Sequence, residues 1–295
     1  MNTENRETPL YLKLPRVSGL SPGEFREKYV IPGKPAIIKD AIDGWAALTK
    51  WKPEFWKENY GEREVSIDER GYTVEQVIDL ALESKPDSPA PYYRNIRIRH
   101  DLAELMADIS PYPPLCGPNW FHSLAFYPVR ECIVGGGGHY ELFIGGAGRS
   151  FPFLHFDAPG AHTFIHQIAG KKKFILFAPS DSDYLYPMDG KKFSVSSIAD
   201  IENVDLEQFP LYAKASKYED EVGPGDTLFM PVGWWHTALM KSFSISLGID
   251  VVNDTNWDSV YGYMKKRASY ENAVLASIYM AAMASAGLMA RALSK

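Results

Sequence analysis

From about residue 120 to about residue 255, short apolar, β-rich runs alternate with turns that contain glycine and proline. Regularly spaced short strands of this kind are typical of an antiparallel barrel or sandwich. The predicted strands are Tyr140–Gly145, Phe151–Phe156, His162–Ile168, Lys173–Phe177, Thr227–Met230 and Phe243–Val252.

Helical patterns flank this β-rich region. The run Ser21-Pro22-Gly23-Glu24 is typical of a helix start, with serine as the N-cap and glutamate three residues later. Further helices are predicted over Thr73–Ser84, over His100–Ile109, and from Trp257 to the end. We therefore predict an α-rich cap packed on the core over residues 1–118, a β-barrel over 119–255 and C-terminal helices over 256–295.

The C-terminal run Ala273–Ala290 contains no charged residue. Its length approaches the roughly 20 residues of a membrane span, but it is rich in alanine, serine and glycine rather than leucine or isoleucine. We expect a buried or dimer-forming helix, and a lid, an irregular tail and a membrane span remain alternatives.

Composition narrows the classes of partner. The net charge is -6 and no long basic stripe is present, so a nucleic-acid ligand is not expected. Cys116 and Cys132 form no C-x-x-C pair, which fits a reduced cytoplasmic protein without a disulfide framework. The polar run from Met1 to Pro15 lacks an apolar signal core. We expect a cytoplasmic protein with no membrane partner.

The candidate chemistry begins with His155 and Asp157. Residues two apart on a strand point to the same face, so both side chains can converge inside a barrel. A later segment runs from a G-P-G-D turn at 223–226 to P-V-G-W-W-H, which ends at His236. Two imidazoles and one carboxylate are the ligand set that leaves three positions open on Fe(II).

These segments resemble the JmjC/cupin-like family of oxygenases, which includes the hypoxia-inducible-factor asparaginyl hydroxylase. The similarity covers roughly residues 15–255 and is strongest at 149–187 and 222–236. The resemblance implies a mainly β fold with α, a double-stranded β-helix (jelly-roll or cupin) core, and often a homodimer formed through C-terminal helices. It also implies Fe(II) held by His155, Asp157 and His236, with 2-oxoglutarate as cosubstrate, O2 as oxidant, and C–H hydroxylation as the reaction.

The resemblance assigns Lys172 to the lysine that pairs with the distal carboxylate of 2-oxoglutarate. A dianionic cosubstrate requires a fixed cation at a distance from the metal, and a lysine on a barrel strand supplies one. Lys171 and Lys173 flank it, so a register shifted by one residue remains open, as does a solvated turn.

Other cosubstrate contacts implied by the resemblance are hydroxyl groups. Tyr140, Thr163 and Ser246 fall at or close to the family positions, and each is equally consistent with barrel packing. Pro152 stands where many members have a threonine, and proline cannot donate a hydrogen bond. Either Ser150 or Ser246 compensates, or the cosubstrate lies differently.

Two other functions remain open at this point. One is a metal-dependent cupin dioxygenase or isomerase that does not use 2-oxoglutarate, and the other is a non-catalytic cupin binding module. His162 and His166 share a strand face and are competing metal ligands, although neither has a carboxylate partner. The substrate, whether a protein or peptide side chain or a small molecule, is not determined by the sequence.

Overall fold

The computed structural model describes residues 9–122, 140–270 and 273–293. Within these ranges, thirteen strands form two large sheets and one hairpin. The strands are β1 Leu10–Leu12, β2 Arg16–Val17, β3 Ala36–Ile38, β4 Glu64–Ile67, β5 Arg70–Thr73, β6 Tyr93–Arg97, β7 Tyr140–Gly145, β8 His162–Ala169, β9 Lys172–Phe177, β10 Ser216–Val222, β11 Thr227–Met230, β12 Trp235–Met240 and β13 Ser244–Val251.

Seven α-helices surround the sheets in the described part of the chain, together with short 3-10 segments and a π-helical turn over Arg26–Val30. The helices are α1 Pro22–Phe25, α2 Ala47–Lys50, α3 Pro53–Tyr60, α4 Val74–Glu83, α5 Ile98–Asp101, α6 Trp257–Ala268 and α7 Ala273–Leu293. Reciprocal capping boxes begin α1 at Ser21 and α4 at Thr73. These caps satisfy backbone N–H groups that a helix start leaves without partners.

The two large sheets enclose a cavity. One has four strands in the order β1-β10-β9-β12, and the other has seven in the order β2-β3-β11-β8-β13-β7-β6. Strands β8, β13 and β7 pair antiparallel at the centre of the larger sheet. Side chains from both sheets line the cavity. The mainly β fold with helices confirms the predicted cupin-type jelly roll.

The larger sheet has one apolar face and one more polar face. On β13, Leu247 and Ile249 point away from the cavity and are fully buried in the main hydrophobic core, together with residues of the N-terminal helices. The alternate positions Ser246, Gly248 and Asp250 face the cavity. Side-chain alternation therefore separates the residues that stabilise the fold from those that can meet a ligand.

The region preceding residue 118 is more than a helical cap. It contributes β1 to the smaller sheet and β2, β3 and β6 to the larger one. The predicted strand over Phe151–Phe156 does not form. Instead, Ser150 and His155 make isolated bridges to β12, because Pro152 has no N–H for a continuous ladder.

Several other boundaries differ from the sequence prediction. Strands β6, β10 and β12 were not among the predicted strands. The predicted helix over His100–Ile109 is instead α5 followed by a 3-10 segment, Ala103–Ile109. Cys116 is buried, and Cys132 lies outside the described residues.

Helices α6 and α7 pack together near one end of the barrel. Gly287 of α7 lies directly against the Trp257 indole, where an added Cβ would come within 2.2 Å of Nε1. The outer side of α7 exposes Val274, Ile278 and Leu288. Among the described residues, none of the helices combines the length and hydropathy required to cross a bilayer.

Candidate metal centre

His155, Asp157 and His236 converge at the cavity. One potential ligand atom of each residue lies within 4.8 Å of those of the other two. Among the described residues, this is the one cluster of three or more His, Cys, Asp or Glu side chains that could hold a metal ion. The His155 and His236 Nε2 atoms lie 3.5 and 3.6 Å from Asp157 Oδ1. His236 belongs to β12, whereas His155 and Asp157 lie on the irregular segment that bridges to it.

Backbone groups fix the orientation of both imidazole rings. His155 Nδ1 lies 3.3 Å from the Phe153 carbonyl oxygen, and His236 Nδ1 lies 3.1 Å from the Trp234 carbonyl oxygen. An Nδ1–H that donates to a carbonyl leaves Nε2 as the free lone pair, which is the usual arrangement for a metal-ligating histidine. The Phe151 ring also stacks on His155, with centroids 4.4 Å apart.

Asp157 is held in its ionised form. Burial favours the neutral acid, but the His236 and His155 imidazoles outweigh burial and keep the pKa of Asp157 well below its ordinary value. Burial lowers the pKa of His236 to about 4, so this ring is neutral. A carboxylate and neutral imidazoles are the protonation states that bind a metal ion.

Thr163 links Asp157 to a second carboxyl group. Its Oγ1 lies 2.6 Å from Asp157 Oδ2 and 3.0 Å from Asp250 Oδ1. A hydroxyl has one hydrogen to donate, so one carboxyl group must itself donate to Thr163. Burial, with Asp157 and Glu141 nearby, raises the pKa of Asp250 well above its ordinary value, which assigns the proton to Asp250.

Lys172 lies on another wall of the same cavity, which has a volume of about 140 Å³. Its ammonium group is buried and lies 2.6 Å from Ser246 Oγ and 3.5 Å from the Tyr92 hydroxyl. Among the described residues, no carboxylate forms a salt bridge with it. Burial lowers the pKa of Lys172 to about 7, so an anion in the cavity would restore its positive charge.

The donor set suits a divalent iron ion. Two nitrogen ligands and one oxygen ligand on one side leave the cavity side open, as in facial-triad sites. A family model described as a cupin-like domain matches residues 22–262.

The chain belongs to the cupin-like, JmjC-related family of Fe(II)/2-oxoglutarate oxygenases. Lysine-specific demethylase 8 of Xenopus tropicalis is 30% identical over 250 residues, which cover 79% of this chain and 52% of that protein. Jumonji C domain-containing protein 5 of Drosophila melanogaster is 29% identical over 79% of this chain and 59% of its own length. Human tRNA wybutosine-synthesizing protein 5 is 26% identical over 266 residues, which cover 81% of this chain and 78% of that protein. The chain thus spans little more than half of the first two relatives.

Most of the residues that the resemblance assigned to the site lie together in the structure. His155, Asp157, His236, Lys172, Thr163 and Ser246 all line the cavity. Tyr140 does not line it. It shares the outer face of β7 with Leu142, next to the Arg99 guanidinium, which lies 4.5 Å from the tyrosine ring centroid. The exposed Pro152 ring also lies outside the cavity lining, and Ser246 supplies a hydroxyl group next to Lys172.

Sequence reasoning did not find the tyrosine at this site. Tyr92 precedes β6, is buried, and reaches Lys172 with its hydroxyl group. The available signal was the aromatic and apolar pattern of Tyr92, Tyr93 and Ile96, for which the sequence analysis predicted no element. Glu141 and Asp250 were missed for a similar reason, since a single acidic residue within a strand carries no motif.

His162 and His166 lie apart from the metal centre. Both project from β8 on the side opposite Thr163, and His166 contacts Trp45 with ring centroids 4.8 Å apart. Burial lowers the pKa of His162 to about 4 and that of His166 to about 3. His162 Nε2 is engaged by the Thr255 hydroxyl. They are neutral core residues that support the sheet.

Proposed function

We propose that this protein is an Fe(II)- and 2-oxoglutarate-dependent oxygenase that hydroxylates a C–H bond of a protein or peptide side chain or of a small molecule. One observation carries the proposal. The cavity that contains the His155–Asp157–His236 cluster also contains Lys172, a buried cation without an anionic partner among the described residues. A buried lysine of this kind is destabilising unless a ligand supplies the counter-charge.

The spacing along the sheet suits a two-ended cosubstrate. His236 pairs with Leu176, and Met240 pairs with Lys172, on the adjacent strands β12 and β9. Four residues of strand correspond to about 13 Å between these backbone positions. The long lysine side chain spans part of this distance, which leaves room for a short dicarboxylate between Nζ and the metal centre.

His155, Asp157 and His236 would hold the iron. When bound together, iron, 2-oxoglutarate and O2 would supply C–H oxidation coupled to decarboxylation of 2-oxoglutarate to succinate. The protein's own residues bind and orient the reactants. Ser246 and Tyr92 add hydroxyl groups next to Lys172, and Thr163 fixes one oxygen of Asp157.

Apolar side chains would keep water from the reacting groups. Phe143, Phe174, Ile165 and Met230 line the cavity between its polar groups. Removal of water strengthens electrostatic contacts with a bound ligand and limits side reactions. The aromatic ring of Phe143 also lies 5.4 Å from Lys172 Nζ, a favourable cation–π contact.

Succinate formation tests the proposal. With Fe(II), 2-oxoglutarate and O2, the protein should form succinate, and Lys172→Met should abolish most of this turnover. Lys173→Met is the matched control, because Lys173 pairs instead with Glu202 and Glu219. Tight iron binding with no 2-oxoglutarate consumption would favour the alternative of a cupin enzyme that does not use this cosubstrate.

The identity of the substrate calls for a direct search. We propose a panel of peptides and metabolites scored for a gain of one oxygen atom by mass spectrometry. Demethylation and tRNA modification are included in the search, since relatives carry such names. The net charge of -6 disfavours a nucleic-acid substrate, and a tRNA electrophoretic shift assay checks this.

We further propose a homodimer formed through the C-terminal helices. The exposed apolar residues Val274, Ile278 and Leu288 on α7 support it. Light scattering of the full chain should give twice the monomer mass. Ile278→Lys should yield the monomer, and a monomeric unmodified chain would contradict the proposal.

A further inference from the structure

The charge of Lys172 depends on what the cavity contains. Its side chain is buried and, in the part of the chain that the structure describes, no carboxylate forms a salt bridge with it. Burial therefore lowers the pKa of Lys172 to about 7. At pH 8, roughly nine-tenths of the protein without cosubstrate would carry the neutral amine, against less than about 1% for an ordinary lysine.

The other titratable groups of the cavity leave this amine without a fixed counter-ion. The groups that line the cavity with it are Tyr92, Glu141, His155, Asp157, His236 and Asp250. Burial raises the pKa of Glu141 to about 7, and the hydrogen bonds of Thr163 assign Asp250 the neutral form. The remaining carboxylate, Asp157, faces the two histidines of the candidate metal centre.

The Lys172 amine borders free space with apolar walls. The cavity has a volume of about 140 Å³, and the Tyr92 and Phe143 ring centroids lie 5.7 and 5.4 Å from Nζ. A buried lysine that has lost its proton is a nucleophile, as in enzymes that use a neutral lysine. The apolar walls favour the uncharged amine and suit a small, uncharged reaction partner.

Two hydroxyl groups lie next to the amine, where they could stabilise a new negative charge. Ser246 Oγ lies 2.6 Å from Nζ, and the Tyr92 hydroxyl lies 3.5 Å from it. Burial raises the pKa of Tyr92 above its ordinary value, so this hydroxyl keeps its proton and can donate it in a hydrogen bond. The serine hydroxyl can rotate to donate as well. Hydrogen bonds of this kind reduce the cost of a buried anion.

The candidate metal centre would supply the compensating positive charge. A divalent metal ion and the Asp157 carboxylate together carry one net positive charge. An ammonium group on Lys172 adds a second positive charge to the same cavity, whereas a single negative charge on this side chain would balance the metal centre. The metal-loaded cavity without cosubstrate thus favours an anionic form of the Lys172 side chain.

We propose that Lys172 reversibly binds CO2 as a carbamate when 2-oxoglutarate is absent. The amine nitrogen forms a bond to the CO2 carbon, one C–O π pair moves onto an oxygen, and an N–H proton leaves to water. No oxidant or reductant is required. The carbamate removes the cation that 2-oxoglutarate would require, so the two exclude each other. CO2 is a co-product of the proposed oxygenase reaction, so the regulatory meaning, product inhibition, rests on that proposed function.

Covalent trapping tests the inference without turnover. The full chain, loaded with Mn(II) and free of 2-oxoglutarate, is mixed at pH 8 with isotopically labelled CO2 and then with triethyloxonium, which esterifies carbamates. Peptide mass spectrometry should locate the labelled group on Lys172, and added 2-oxoglutarate should lower the labelled fraction at least fivefold. Lys173 is the internal control, because it pairs with Glu202 and Glu219 and should stay unlabelled.

Cosubstrate affinity supplies a second measurement. At pH 8 and constant ionic strength, CO2 should weaken 2-oxoglutarate binding to the unmodified Mn(II)-loaded chain at least threefold. Lys172→Arg keeps the cation and loses the nucleophile, so its 2-oxoglutarate affinity should not respond to CO2. An equal response of both chains would indicate only an adventitious bicarbonate ion and would overturn the inference.

The trapping result decides the inference even if Lys172→Arg binds no 2-oxoglutarate. An unlabelled Lys172 overturns it, whatever the catalytic activity. Succinate formation with iron judges the proposed oxygenase function separately, because labelling requires neither 2-oxoglutarate nor turnover.

Discussion

Replacement of Lys172 by methionine should have opposite effects on the empty protein and on cosubstrate binding. Burial lowers the pKa of Lys172 from its ordinary 10.5 to about 7. The unfolded chain then binds more protons than the folded one between these values, so stability rises with pH across this range. The penalty is fully present below pH 7 and is absent above the ordinary lysine pKa.

The size of the effect follows from that shift. At pH 7.5 the difference in proton affinity destabilises the fold by about 4 kcal/mol, taken as an upper value. Methionine has a similar length and no charge, so it removes this destabilisation. It also leaves the Ser246 hydroxyl without its lysine partner, which offsets about 1 kcal/mol of the gain in stability. For a chain of this size, a gain of 2–4 kcal/mol corresponds to a Tm increase of roughly 3–7 °C.

Thermal unfolding between pH 6 and pH 9 measures both effects. Without cosubstrate, Lys172→Met should unfold at a higher temperature than the unmodified protein, and the gap should narrow as the pH rises. When 2-oxoglutarate is added to the Mn(II)-loaded proteins, the unmodified protein should gain further stability and Lys172→Met should not. Lys173→Met should behave oppositely, with slight destabilisation and an intact response. A variant that is less stable at every pH yet still stabilised by 2-oxoglutarate would refute the reasoning.

Three further predictions concern the candidate metal centre and the turn that precedes β9. His236→Ala should bind less than a tenth of the iron bound by the unmodified chain, whereas His162→Gln should keep its iron, as measured by elemental analysis. Thr163→Val removes the hydroxyl that fixes Asp157, so iron affinity should fall about 10- to 100-fold in a chelator competition assay, and unchanged affinity would count against this role. Gly170, with a φ of 69°, lies before β9, where a Cβ would overlap a carbonyl of the turn between β12 and β13. Gly170→Ala should therefore lower the unfolding free energy by at least about 2 kcal/mol, measured by urea titration, and a change below 0.5 kcal/mol would contradict it.

Much of the fold was predictable because it depends on local patterns. Strands β7 and β11 begin and end where the apolar runs do, and Ser21 and Thr73 cap their helices as short-range chemistry requires. Strands β6 and β10 were missed because charged and polar residues obscure their alternation. Each is held by pairing with a neighbour, β6 with β7 and β10 with β9, which local propensity does not encode.

The candidate ligand residues were also accessible from the sequence. His155 and Asp157 were identified from their two-residue spacing, and His236 from its tryptophan-rich segment, although His155 lies on an irregular segment rather than a strand. Tyr140 shows where prediction from the sequence stops. Alternation correctly places Tyr140 and Glu141 on opposite faces of the strand, but it does not determine which face lines the cavity.

By itself, the sequence determined the fold class, the three candidate iron ligands and a lysine suited to a dianion. Only the tertiary structure decided that Tyr92 rather than Tyr140 lies beside Lys172 and that Thr163 joins Asp157 to Asp250. The reason is physical. Side-chain alternation is fixed within a strand, whereas the inward face and the register between strands as distant in sequence as β8 and β13 are set by burial of the whole core.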